Sequence, residues 1–230
     1  MCPVVRWDIQ GVVKLGDFGT TWTKIVDTHS GERLVEQTRE LRGTRVDIAT
    51  GHNARQRAPV FINELLALVK GGIRLLGNGP WTLVDVGSRD IKKVVVENGR
   101  PVDMDWNNSC GALTGFTLEL LGRYFELDFS SLQAVESALP VTCGVLGLER
   151  LFDMVARGQP VQTAVAAFVR GMATSTHAFL RRPESFFLSG GMCHNPLFMK
   201  SFPEGVQIEP LGRFVLLDGL VEEAAERGIG

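Results

Sequence analysis

Two acidic glycine turns carry the residues best suited to chemistry in this chain. The first is D-F-G-T-T-W-T-K, Asp17 to Lys24, and the second is D-V-G-S-R-D, Asp85 to Asp90. In each, a glycine follows the aspartate at the second position, and hydroxyl side chains come next. Glycine lets a phosphate approach the backbone closely, successive N–H groups and hydroxyls receive it as an anion, and a carboxylate addresses metal-bound water. For the first turn taken alone, an ordinary hairpin turn is the competing reading. A third segment, S-G-G-M-C-H-N from Ser189 to Asn195, puts a Gly-Gly turn ahead of Asn-Pro. Such a turn admits a flat ligand such as adenosine, and a generic strand-to-helix turn is the alternative.

The elements around these turns are readable from apolar patterning. Val12–Leu15, Thr23–Val26 and L-V-E-Q-T are predicted strands, with the Asp17 turn between the first two. Trp81–Val84 and I-K-K-V-V-V repeat the arrangement around Asp85, and Asn98-Gly99 then marks a tight hairpin. Two copies of one motif suggest two similar halves. A helix is predicted over Ala58–Val69, followed by a loop-rich G-G-I-R-L-L-G-N-G-P where the halves divide. Further helices are predicted over L-T-G-F-T-L-E-L-L-G-R-Y-F, over Ser130–Ala138, from Gly144 to about Arg157, and over the Ala-rich Val161–Arg181. Gly158 and Pro160 mark the break between the last two. Phe186–Leu188 and Val206–Ile208 read as strands, and D-G-L-V-E-E-A-A-E-R as a closing acidic helix.

Composition bounds the class. The 230 residues suffice for one large or two small domains with an ample core. A formal net charge of −2 argues against non-specific nucleic-acid binding. No apolar run approaches a membrane span, and M-C-P-V-V-R-W-D is no signal peptide, which points to the cytoplasm. Cys2, Cys110, Cys143 and Cys193 are scattered, without a C-x-x-C pair. Cys110 and Cys143 each stand just ahead of a helix-like run. Taken singly, either fits a small buried hydrophobe.

In this order, D-F-G-T-T-x-T-K, D-V-G-S-R-D-x-K and S-G-G-M-C-H-N resemble the phosphate-1, phosphate-2 and adenosine motifs of the acetate kinase/sugar kinase/heat-shock chaperone/actin ATPase superfamily. Within it, N-N-S-C-G-A-L-T-G and T-C-G-V-L-G-L-E-R are similar to the cysteine motifs of the 2-hydroxyacyl-CoA dehydratase activators and the related benzoyl-CoA reductase ATPase subunits. A-T-G at Ala49–Gly51 and V-E-N-G at Val96–Gly99 also fit, so the likeness runs from about Leu15 to Pro210. It implies an α/β chain of two ribonuclease-H-like (actin-like ATPase) halves around a nucleotide cleft. The expected halves are 1–80, with a C-terminal helix over 216–230 packed back on it, and 81–215.

The resemblance also assigns roles. Asp17, Asp85 and Asp90 are the catalytic carboxylates, orienting metal-bound water and the attacking water. Gly19, Thr20, Thr21, Lys24, Gly87 and Ser88 frame phosphate and Mg²⁺, and Gly190, Gly191 and Asn195 hold the adenosine of ATP or ADP. Cys110 and Cys143 of each subunit ligate one 4Fe–4S cluster per homodimer. Physics agrees with that arrangement: such a cluster takes four thiolates, a two-fold dimer doubles two into four, and helix N-termini behind the cysteines favour its negative charge. The implied activity is ATP hydrolysis driving a low-potential electron into an iron–sulfur dehydratase or reductase. A nucleotide-binding regulatory or assembly protein of the same fold, without cluster and with little turnover, is the rival, and a small-molecule kinase is a third reading.

The chain departs from the family pattern at several points. Ser88 and Arg89 replace the usual Gly-Gln of the second phosphate loop, Leu113 replaces a Gly, and Leu146-Gly147-Leu148-Glu149-Arg150 stands in place of a Phe-Ala-Glu-Ser-Glu run. Near the C-terminus, F-V-L-L-D-G stands where a Gly-Ala-rich adenosine turn is expected.

Overall fold

The structure, a computed structural model, describes residues 13–107, 115–141 and 144–229. Two five-stranded mixed sheets carry the chain. In the first, the strand order is β3-β2-β1-β4-β5, built from β1 (Lys14–Phe18), β2 (Trp22–Asp27), β3 (Arg33–Gln37), β4 (Ile48–Thr50) and β5 (Val60–Phe61). The second runs β10-β9-β6-β7-β8, from β6 (Trp81–Val86), β7 (Ile91–Glu97), β8 (Arg100–Asn107), β9 (Ser185–Ser189) and β10 (Gln207–Gly212). The helices are α1 (Glu64–Leu76), α2 (Gly115–Tyr124), α3 (Gly144–Ala156), α4 (Val161–Phe179), α5 (Pro196–Lys200) and α6 (Val215–Arg227). Two compact units emerge: Met1–Leu83 with Val94–Met104 and Leu211–Gly230, and Val84–Lys93 with Asp105–Pro210.

In the first unit β1 is the inner strand. It pairs antiparallel with β2 on one side and parallel with β4 on the other. Leu15, Phe18, Ile48 and Ala49 are fully buried there, as expected of strands covered on both faces. Double pairing also carries β1 further than its sequence suggests. Gly16 and Asp17, read as turn residues, are strand residues, and the turn shrinks to Gly19-Thr20-Thr21. Asp85 likewise lies inside β6, and the second turn begins at Gly87.

Helix α1 differs from its sequence reading at both ends. Val60 and Phe61 pair in parallel with Ile48 and Ala49, so the sheet captures them before a helix can start. The helix begins after Asn63, whose Oδ1 accepts the Leu65 N–H at 2.9 Å. It then runs straight through the presumed loop to Leu76. Gly71 and Gly72 are there for packing. A Cβ at Gly71 would sit 2.0 Å from the Val215 carbonyl oxygen, and one at Gly219 of α6 would sit 1.9 Å from that of Ala67. The two backbones therefore touch, and Lys70 with Glu223 and Glu226, at 2.5 Å each, ties the same face.

The second unit centres on α4, where Val165, Phe168, Val169 and Met172 are buried against Leu151, Leu188 and Leu197. The Ser130–Ala138 segment is not a helix but a turn and an irregular stretch. Asp128 Oδ1 accepts the Ser130 N–H at 2.9 Å and Ser131 N donates to the Asp128 carbonyl. This local capture competes with helical bonding. Leu132 is buried in the core, and Leu139 N donates to the Ala167 carbonyl. Asn98 and Gly99 make the expected hairpin, both with positive φ (52° and 70°). Among the described residues, no helix is long and apolar enough to cross a membrane.

Candidate functional site

Asp17 is the next-to-last residue of β1 and only 3 % exposed. Its register partner on β2 is Lys24, and Lys24 Nζ meets Asp17 Oδ2 at 2.6 Å. Its register partner on β4 is Thr50. The turn beyond is held by Thr38, whose hydroxyl donates to the Gly19 carbonyl at 2.8 Å and whose N–H donates to the Thr21 carbonyl. Gly19 is tight, since a Cβ would lie 2.6 Å from the Trp22 carbonyl oxygen. Thr20 is exposed at the tip. Two hydroxyls of this group, Thr21 Oγ1 and Thr50 Oγ1, are buried without a hydrogen-bond partner. Leaving such groups unmade is costly, and they mark where a ligand or a rearrangement has something to satisfy.

In the second unit, Asp85 is the next-to-last residue of β6 and 6 % exposed. Ser189, ending β9, donates its hydroxyl to Asp85 Oδ1 at 2.6 Å. The loop after β6 closes on itself through Gly87 N to the Asp90 carbonyl. Asp90 does not project freely. Its Oδ1 receives Lys92 Nζ at 2.6 Å and its Oδ2 receives the Trp106 indole N–H at 2.9 Å. The Lys92 ammonium also lies 4.9 Å above the Trp106 ring. The first N–H groups of α2, on Gly115 and Phe116, donate to the carbonyls of Gly87 and Ser88. The Gly87–Asp90 loop therefore holds the chain on both sides of residues 108–114.

The two units repeat one local device. Gly51 follows Thr50 with φ +103°, and its Cβ would fall 2.6 Å from the Phe18 backbone. Gly190 follows Ser189 with φ +91°, and its Cβ would fall 2.4 Å from the Val86 carbonyl oxygen. In both, a hydroxyl residue and a left-handed glycine close a neighbouring strand against the residue after the aspartate. Thr50 and Ser189 lie inside the A-T-G and S-G-G motifs, but the resemblance assigns neither a role. The signal was present as a buried strand ending in hydroxyl-glycine, I-A-T-G and F-L-S-G.

The Ser189–Asn195 segment forms the end of β9 and a 3₁₀ turn over Gly191–His194. A Cβ at Gly191 would meet nothing, so its face is open. Asn195 caps α5: its Oδ1 accepts the Phe198 N–H at 3.0 Å. The Cys193 thiol donates to the Gly190 carbonyl at 2.9 Å. Cys110 and Cys143 lie outside the described residues. Among the described residues no cluster of three or more His, Cys, Asp or Glu side chains is placed to hold a metal.

No protein-family model matches the chain. It is 24% identical over 137 residues to the (R)-2-hydroxyglutaryl-CoA dehydratase activating ATPase of Acidaminococcus fermentans, covering 56% of this chain and 53% of that one. It is 22% identical over 138 residues to the 2-hydroxyisocaproyl-CoA dehydratase activator of Clostridioides difficile, covering 56% and 52%. The chain thus spans about half the length of the curated relatives it matches. Among solved structures, component A of the A. fermentans (R)-2-hydroxyglutaryl-CoA dehydratase superposes with a TM-score of 0.79 at 19% identity, over 96% of this chain and 100% of that one. The Clostridium difficile 2-hydroxyisocaproyl-CoA dehydratase activator with bound ADPNP gives 0.72 at 18%, over 95% and 96%. The relatives and structural neighbours of this chain therefore include the (R)-2-hydroxyglutaryl-CoA and 2-hydroxyisocaproyl-CoA dehydratase activators, and the chain shares their fold.

Proposed function

We propose that the chain is an ATP-dependent activator that hydrolyses MgATP and passes a low-potential electron to an iron–sulfur dehydratase or reductase. The observation that carries this reading is the duplicated carboxylate device, Asp17 beside Thr50-Gly51 and Asp85 beside Ser189-Gly190. The donor set fits the ligand. Carboxylate and hydroxyl oxygens are the hard donors that Mg²⁺ takes, and the buried, unpartnered hydroxyl of Thr21 leaves hydrogen-bonding capacity at the first loop. A relative of the same fold carries ADPNP.

In this reading Lys24 exchanges its ion pair with Asp17 for a phosphate oxygen, as a mobile point charge does well. In the first unit Gly19, Thr20 and Thr21 present backbone and hydroxyl to phosphate, and in the second unit Gly87 and Ser88 offer the same groups. Asp17 and Asp85 are the carboxylates that would hold Mg²⁺ and orient water for hydrolysis. Gly190 and Gly191 give adenosine an open backbone surface, while Asn195 shapes it by capping α5. Cys110 and Cys143 from each of two chains would hold one 4Fe–4S cluster, which supplies a single electron at low potential.

A regulatory or assembly protein with little turnover is supported by one observation: both Asp90 oxygens already receive donors within the unit, from Lys92 and the Trp106 indole. Anaerobic purification separates the two. The activator reading expects brown protein with about four irons per dimer, calorimetric binding of MgADPNP, and magnesium-dependent ATP hydrolysis. Colourless, iron-free protein that binds nucleotide without turnover would establish the rival. Well-folded protein that binds no adenine nucleotide would remove both.

A further inference from the structure

Asp85 and Asp17 occupy equivalent places but are held differently. Asp85 receives a hydrogen bond from Ser189, the hydroxyl residue that closes the strand beside it. Asp17 receives Lys24 instead. The residue placed beside Asp17 as Ser189 is placed beside Asp85 is Thr50. It is fully buried, and its hydroxyl has no hydrogen-bond partner. Thr50 and Asp17 are register partners on adjacent parallel strands, so their side chains leave the same face of the sheet a strand spacing apart. That separation is within reach of a Thr Oγ1 and an Asp carboxylate after one rotamer change. An orphaned, fully buried hydroxyl is costly where an apolar side chain would fit, and valine has the same shape.

We propose that Thr50 is the positioning residue for Asp17. When Lys24 leaves the carboxylate for an anion, the Thr50 hydroxyl turns to donate to Asp17, as Ser189 already donates to Asp85. Two states of one carboxylate result. With Lys24 on it, charge is neutralised and Thr50 idles. With Lys24 withdrawn, Thr50 supplies the hydrogen bond that satisfies and aims the buried carboxylate. Thr50 touches neither phosphate nor metal and acts only through Asp17. The left-handed Gly51, pressed on the Phe18 backbone, fixes the strand end so that Thr50 keeps its register. This inference rests on the nucleotide reading above and adds a residue to it.

The test uses the full chain with Thr50→Val and Thr50→Ser. Three measurements are made on each: apo thermal stability, MgADPNP affinity by calorimetry, and the kcat and KM of magnesium-dependent ATP hydrolysis. The expected result has three parts. Apo Thr50→Val melts at or above wild type, because it removes an unsatisfied hydroxyl. Its kcat falls about ten- to a hundred-fold, the worth of one hydrogen bond to a charged group. Thr50→Ser keeps kcat near wild type. Hydrolysis by Thr50→Val at the wild-type rate overturns the role of Thr50 while leaving nucleotide binding intact. A Thr50→Val protein that is less stable in the apo state shows a packing role and also overturns it. Wild type that neither binds MgADPNP nor hydrolyses MgATP overturns the nucleotide reading and this inference with it.

Discussion

The Ser189 hydroxyl donates to Asp85 Oδ1 across 2.6 Å, and both residues are buried. A buried carboxylate depends on its hydrogen-bond donor for orientation. Ser189→Ala should therefore lower magnesium-dependent ATP hydrolysis by about ten- to a hundred-fold, with Asp85→Ala and Asp17→Ala removing it altogether. Steady-state rates against magnesium concentration check this. A Ser189→Ala rate equal to wild type would show that Asp85 needs no such support.

The Gly87–Asp90 loop bonds to residues on both sides of 108–114, the stretch of sequence that carries Cys110. Trp106 donates to Asp90 on one side, and Gly115 and Phe116 donate to Gly87 and Ser88 on the other. A nucleotide that moves this loop would move the residues bonded to it, Trp106, Gly115 and Phe116. In iron-loaded protein, the reduced-state paramagnetic resonance spectrum and midpoint potential should differ between MgADPNP and MgADP, because a ligand shifts an equilibrium only through differential affinity. Trp106→Phe should shrink that difference by removing one grip. Spectra that are the same with either nucleotide in wild type would end the coupling argument.

The contact of α1 with α6 depends on Gly71 and Gly219, where added methyl groups would strike backbone. Gly219→Ala should cost about 1–3 kcal/mol of stability, or roughly 2–4 °C of Tm per kcal/mol in a chain of this size. Gly79→Ala, where a Cβ meets nothing, is the control and should change little. Thermal melts of the two variants side by side decide it.

Asp218 lies in the first turn of α6, buried, with Oδ1 lacking a partner. Burial pushes its carboxyl up to about 7, with Arg33 of β3 and Arg74 of α1 pulling the other way. Arg74 is itself paired with Glu222. A folded-state value above the unfolded one means that the native form binds the proton more tightly. The contribution is then complete below about pH 4 and is lost as pH rises through about 7. Asp218→Asn should thus gain stability relative to wild type across that window, by up to about 4 kcal/mol at alkaline pH. Denaturant midpoints at pH 4, 6 and 8 measure it, and a constant difference across pH would disprove the linkage.

Local chemistry made much of this protein legible from its residues. The order of the two Asp-Gly turns, the Asn98-Gly99 hairpin and the break at Gly158 and Pro160 are written in backbone preferences that operate over a few residues. Strands β6, β7 and β9 follow from apolar runs long enough to need burial. Tertiary structure decided what those preferences leave open. Val60 and Phe61 became a strand because β4 offered them a partner, and Gly71 and Gly72 serve a helix face where the α6 backbone and the Trp81 ring need the space. Pairing on both sides drew Asp17 into β1 and set Thr50 beside it, a neighbour thirty-three residues away that no local pattern identifies. Long-range pairing likewise brought Ser189 to Asp85 and Trp106 to Asp90. Hydrogen bonds act over about 3 Å, so which group meets which is fixed only once the sheets have formed.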